Sequence, residues 1–192
     1  MDHVRCADDE ALRVLEEHGI TRALVEAGGD IVVSAGWGKA QEEIALSGLT
    51  VRPAASHDFA AVAGLLAELG RPTLAPDTVE SAREVYERHL SRGDTASLVA
   101  EVDGEVVGFM SLEFRERLNR TQLQGWIPDL IVTETYRGIG AGKALLRRGF
   151  ELARERGCWS VTLESGYSRT VAHQLYRDAG MIDEGLYFLL YL

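Results

Sequence analysis

The run Arg137-Gly138-Ile139-Gly140-Ala141-Gly142-Lys143 places three glycines between a strand-like segment, 129–132, and a long helical one. A glycine-rich turn in that position is an anion site on physical grounds, because unpaired backbone N–H groups and the positive end of the helix dipole face the same guest. Phosphate is the natural occupant, and the spacing narrows which phosphate compound. A Walker loop needs four residues between its first Gly and a Gly-Lys pair, then Ser or Thr. Here three residues separate Gly138 from Gly142, and Ala144 follows Lys143. A dinucleotide fingerprint starting at Gly138 would need Gly at position 143, where Lys stands.

Other reactive residue types form no such constellation. The histidines, His3, His18, His57, His89 and His173, are scattered without metal-ligand spacing, so no metal is expected. Gly166-Tyr167-Ser168-Arg169-Thr170 lacks the last glycine of a nucleophile elbow. Cys6 and Cys158 supply neither a disulfide framework nor a zinc site, and a reducing compartment is the default. The formal net charge of -10 weighs against nucleic acid and anionic membrane surfaces, which need clustered Lys and Arg. Met1-Asp2-His3-Val4-Arg5 leads into an acidic helical pattern, not a signal peptide, and no stretch approaches the roughly 20 apolar residues of a membrane span. A cytoplasmic location follows as the expectation.

The elements that must position the loop are legible from periodicity. A chain of 192 residues suits one full domain with an appendage, and 46% hydrophobic residues can fill a core. Residues 7–18 read as a helix stopped by Gly19, followed by a hairpin of apolar runs around Ala27-Gly28-Gly29-Asp30. Residues 34–48 read as a linker, which sets an appendage over 1–48 and a domain over 49–192. The domain opens with a short strand. Ser56 is then the expected N-cap of a helix carrying Phe59, Val62, Leu66 and Leu69, and Asp77 with Glu80 suggests a capping box for a second. Asp103-Gly104 between 96–102 and 105–114 predicts a two-residue hairpin. A strand over 126–132, the glycine loop, a long helix to Gly157, a strand over 160–164, a helix over 170–179 and a last strand over 186–192 complete the order.

Arg-x-x-Gly-x-Gly, at Arg137, Gly140 and Gly142 directly after Asp129-Leu130-Ile131-Val132, resembles the acetyl-CoA motif of the GNAT superfamily of N-acetyltransferases. The resemblance covers 51–192, and the order of elements is also the order of that fold. It implies an α/β (α+β) domain with a mixed, mostly antiparallel sheet flanked by helices. It also implies acetyl-CoA as co-substrate, with Arg137, Gly138, Ile139, Gly140, Ala141, Gly142 and Lys143 around its pyrophosphate. The strand carrying Leu130, Ile131 and Val132 would be splayed from its neighbour and meet the pantetheine arm through its backbone.

Ala172-His173-Gln174-Leu175-Tyr176, with Gly180 four residues on, is similar to the family's second signature. It implies that Tyr176 serves the leaving thiolate as acid, a half-buried helix tyrosine being the alternative. Asp129 stands where related small-amine acetyltransferases carry an acidic residue and is the candidate base, with a structural hydrogen-bonding role equally open. Glu113 and Glu164 are weaker candidates for holding a cationic amine. The family's common Asn in the strand-to-helix loop is missing here.

The implied reaction is acetyl transfer from acetyl-CoA to a primary amine of a small molecule, by direct attack in a ternary complex. The stretch 169–180 is similar to aminoalkylphosphonate and other small-amine acetyltransferases. A protein N-terminus or lysine as acceptor, and a non-catalytic acyl-CoA sensor, are the alternatives. Segments 66–76 and 114–125 are expected on the acceptor side. The apolar strand 186–192 could pair across a homodimer. Residues 8–33 carry a short resemblance to a fragment of FAD:protein FMN transferase, too short for an activity.

Overall fold

The computed structural model of the protein describes residues 24–25, 31–32, 48–185 and 190. The chain divides into residues 1–44 and residues 45–192. In the first unit β1 (Leu24–Val25) pairs antiparallel with β2 (Ile31–Val32), the hairpin expected around Gly28. The helix expected over 7–18 and residues 34–47 of the expected linker lie outside the described residues.

In the second unit β3 (Leu49–Pro53) is followed by α1 (Phe59–Glu68), α2 (Val79–Ser91), β4 (Thr95–Val102) and β5 (Glu105–Arg115). Then come β6 (Gln124–Ile127), β7 (Leu130–Val132), α3 (Ala141–Glu155), β8 (Ser160–Leu163) and α4 (Thr170–Asp178). The sheet runs β3-β4-β5-β6-β8, with β7 paired to β5. Among these pairs only β6 with β8 is parallel, so the sheet is mixed and mostly antiparallel, as expected.

Both faces of the sheet are buried. Leu98, Ala100, Met110 and Leu112 meet Leu145 and Leu146 of α3, while Val99, Phe109 and Ile131 meet Phe59, Val62 and Leu65 of α1 and Tyr86 of α2. Strands covered on both sides read as nearly continuous apolar runs, and each fully buried aliphatic side chain contributes roughly 1.5–3 kcal/mol. Asp103 (φ 49°) and Gly104 (φ 85°) close the β4–β5 hairpin with positive φ at both turn positions, as a type I′ turn requires.

Three expectations change. Ser56 does not cap α1. A turn of 3-10 helix over Ser56–Asp58 leads in, the Asp58 carboxylate accepts the Ala55 N–H at 2.8 Å, and Ser56 Oγ donates to Glu87 instead. A carboxylate fixed by both Arg52 nitrogens, at 2.7 and 2.9 Å, is a stronger acceptor than a hydroxyl. Asp77 and Glu80 form no capping box. Thr78 precedes α2, and its Oγ1 closes a turn on the backbone N–H and C=O of Ala75, both at 3.0 Å.

The strand expected over 126–132 is broken at Pro128, which has no N–H to give to a ladder. Trp126 stands opposite Glu113 and Leu130 opposite Met110, so residues 127–129 face only 111–112. One extra residue makes a bulge. The last strand, 186–192, lies outside the described residues apart from the exposed Leu190.

Candidate active site

The bulge opens the sheet. β8 follows β6 as far as the pair Ile127 and Leu163. Beyond it β7 keeps β5 on one side and has no strand on the other among the described residues. Leu130 and Val132 pack towards the α3 core, and Ile131 is buried against α1 and α2. The side chains of β7 are therefore taken up by the two cores, and its free backbone edge is what a guest could meet.

β7 runs into the glycine loop. Arg137 Nε donates to the Val132 carbonyl at 3.1 Å and Nη2 reaches Glu68 Oε1 at 3.1 Å, while Glu68 Oε1 also accepts the Glu134 N–H at 2.8 Å. The end of α1 and the loop are thus tied together. Ile139 packs against the core and Ala141 is buried, so the exposed positions between and before them fall to Gly140 and Gly138. Both have positive φ, 92° and 80°, and a Cβ on either would meet nothing within 4 Å among the described residues. The first backbone bond of α3 is Ala144 N–H to the Gly140 carbonyl, and the N–H groups of residues 138–142 have no backbone acceptor among the described residues. Lys143 completes the first turn of α3. Unpaired donors, a helix dipole and clear space meet here, as binding of a pyrophosphate requires.

Tyr176 lies on α4 beside Leu175, and both pack against the α3-side core cluster together with Leu130, Val132, Ile139 and Leu163. Burial pushes its phenol above the ordinary tyrosine value, an effect partly opposed by nearby Arg169. Arg169 Nη2 in turn donates to the Leu69 carbonyl at 2.6 Å, which joins the entry of α4 to the end of α1.

Asp129 sits in the bulge on the α1 and α2 side of the sheet. Its Oδ1 accepts Arg71 Nε at 2.8 Å and its Oδ2 accepts the Ser111 hydroxyl at 3.3 Å. Arg71 Nη2 also donates to the Pro128 carbonyl at 3.0 Å. Glu164 accepts Trp126 Nε1 at 2.6 Å and Glu113 pairs with Arg115 at 3.2 Å, so both weaker carboxylate candidates are engaged.

Three residues near the site escape sequence reasoning, His89, Ser97 and Ser111, and Arg71 is covered only as part of the segment 66–76 expected on the acceptor side. The signal for the serines was present. Ser97 and Ser111 interrupt apolar strands and stand directly opposite each other on β4 and β5, on the face of Val99 and Phe109. Arg71 comes from a loop, where no periodicity points inward.

A family profile described as "Acetyltransferase (GNAT) family" matches residues 62–181. The chain is 35% identical over 100 residues to the glucosamine 6-phosphate N-acetyltransferase of Trypanosoma brucei brucei, covering 50% of this chain and 68% of that protein. To the aminoalkylphosphonate N-acetyltransferase of Salmonella typhimurium it is 29% identical over 130 residues, covering 68% of this chain and 82% of the other. Among solved structures, a putative acetyltransferase from Agrobacterium tumefaciens str. C58 superposes with a TM-score of 0.67 at 23% identity. That superposition covers 74% of this chain and 99% of the other, and so supports the fold. With the profile spanning more than half of its length, the chain belongs to the GNAT family of acetyltransferases and is an N-acetyltransferase.

Proposed function

We propose that the chain transfers the acetyl group of acetyl-CoA to the primary amine of a small molecule, by direct attack in a ternary complex. The observation that carries this reading is the edge of β7, free among the described residues, running into a loop whose N–H groups at 138–142 lack backbone partners among them. In this reading the loop holds the pyrophosphate, and the backbone edge of Leu130–Val132 pairs with the pantetheine arm. The thioester carbonyl then lies by the bulge at 128–129. Backbone N–H groups of β7 polarise the carbonyl, and fixed donors of this kind stabilise developing negative charge without reorganising.

Asp129, directly or through a water, takes the proton that turns the acceptor ammonium into an amine. The amine nitrogen bonds to the carbonyl carbon, the carbon–sulfur bond breaks, and the nitrogen releases its second proton to solvent. Tyr176 supports the departing thiolate. A phenol held above about 10 is a weaker acid than a thiol of about 8.5, so Tyr176 acts chiefly as a hydrogen-bond donor, and the proton that completes the CoA thiol is replenished from solvent. The products are an N-acetyl amide and CoA.

Thiol release from acetyl-CoA, screened against amines, aminophosphonates, aminoglycosides and peptides, tests the reading. Turnover with small amines supports it. Donor binding without thiol release across the panel, or turnover of peptides alone, would contradict it.

A further inference from the structure

A cavity of about 360 Å³ lies between α1, α2 and the sheet. That volume suits a small ligand. Most of its wall is apolar, with Phe59, Val62 and Leu66 of α1, Leu74 and Phe109 among the contributors. Two buried polar atoms on its wall, Ser97 Oγ and His89 Nε2, have no hydrogen-bond partner in the structure. Ser97 is only 7% exposed. Buried polar atoms are nearly always satisfied, so an unsatisfied pair lining one cavity points to a ligand that supplies the missing bonds. Burial holds His89 below the usual imidazole value, so near neutral pH it offers a hydrogen bond and no charge.

The same cavity leads to the reaction site. Ser97 faces Ser111 across β4 and β5, and Ser111 bonds to Asp129 through both its N–H (3.0 Å) and its hydroxyl (3.3 Å). Arg71 also lines the cavity, but its guanidinium is taken by Asp129 and the Pro128 carbonyl. The wall therefore offers a phosphate or phosphonate no cation that is not already paired.

We infer that the acceptor is a small amine with an apolar body and one hydroxyl at the end away from the nitrogen, that hydroxyl being held by Ser97 and His89. The inference rests on the acetyl-transfer reading and specifies its substrate class. It sets this chain apart from relatives named for phosphorylated and phosphonate amines.

The test compares tyramine, phenethylamine, 2-aminoethylphosphonate and glucosamine 6-phosphate in the thiol-release assay, with the wild type, Ser97→Ala and His89→Phe. Acetyl-CoA affinity is measured in parallel by calorimetry. The wild type should prefer tyramine to phenethylamine by about tenfold in kcat/KM, mainly through KM, because a site built to bond a hydroxyl rejects the analogue without it. Either substitution should bring that ratio towards one while donor affinity is kept. Preference for the phosphorylated or phosphonate amines, no turnover of tyramine despite donor binding, or an unchanged ratio in both variants would overturn the substrate class alone. Failure of the wild type to bind acetyl-CoA would overturn the acetyl-transfer reading beneath it.

Discussion

The Cδ2 methyl of Leu175 stands where a side chain on Gly142 would begin: a Cβ built on that glycine would lie 3.1 Å from it and 3.7 Å from Val132 Cγ2. The glycine loop, β7 and the helix of Tyr176 are therefore packed as one unit. Gly142→Val should push α4 away, weakening acetyl-CoA binding and lowering kcat, each about tenfold, and cost about 1–3 kcal/mol by overpacking. Gly142→Ala should be milder, because helix propensity returns up to about 1 kcal/mol. Calorimetry, steady-state rates and denaturant unfolding of the two variants check this. A loss of donor affinity with kcat intact would show that α4 does not follow the loop.

Tyr176→Phe removes one hydroxyl from a side chain whose ring packs against the core. If the phenol supports the thiolate, kcat should fall about a hundredfold with acetyl-CoA affinity nearly unchanged. Because burial raises the phenol above its ordinary value, the wild-type rate should show no loss from its ionisation up to about pH 10. Unchanged turnover in the phenylalanine variant would remove the role.

Asp129→Asn separates a base from a structural carboxylate. The one amide oxygen can still accept from Arg71, and the amide nitrogen can donate to the Ser111 hydroxyl oxygen, but the group cannot take a proton. As base, Asp129 predicts a fall in kcat of about a hundredfold with donor affinity kept. A structural role predicts the reverse, lower stability with kcat within a few-fold, because Arg71 Nε loses its 2.8 Å ionic partner.

Away from the site, Arg52 and Asp58 give a pH signature. The Asp58 carboxylate, 3% exposed, is held below the usual carboxylate range first by its hydrogen bonds from Arg52. A carboxyl lowered on folding contributes stability that is full above its unfolded value, about 3.9, and lost as pH falls through its lower folded value. Arg52→Met should therefore cost about 2–3 kcal/mol near neutral pH, less than a fully buried pair because Arg52 is 32% exposed. The gap between variant and wild type should close as pH drops below about 4. Urea unfolding from pH 7 to pH 2 measures it, and a gap independent of pH would assign the effect to packing of the Arg52 stem.

Much of this was legible in the residues. Asp103-Gly104 declared its turn, the glycine stops declared their helix ends, and the glycines at 138–142 declared a turn between a strand and a long helix. What escaped depends on contacts distant in sequence. The entry to α1 is organised by Asp58, not Ser56, because the Asp58 carboxylate is held by Arg52, six residues away, and closes back on the Ala55 N–H. The bulge at Pro128 and Asp129 is a register shift against β5, visible only once both strands are paired. His89 looks like one more helix residue until α2 is laid over Ser97.

The central claim is that the loop 137–143 binds acetyl-CoA, and calorimetric titration of acetyl-CoA into the wild type and Gly140→Val tests it most directly. A Cβ at Gly140 clashes with nothing among the described residues, but φ 92° makes it cost about 1–2 kcal/mol, and it would stand where the pyrophosphate is to lie. Binding by the wild type, and affinity at least about tenfold weaker in a variant that still unfolds cooperatively, is the predicted result. Equal affinity in the two proteins would contradict it.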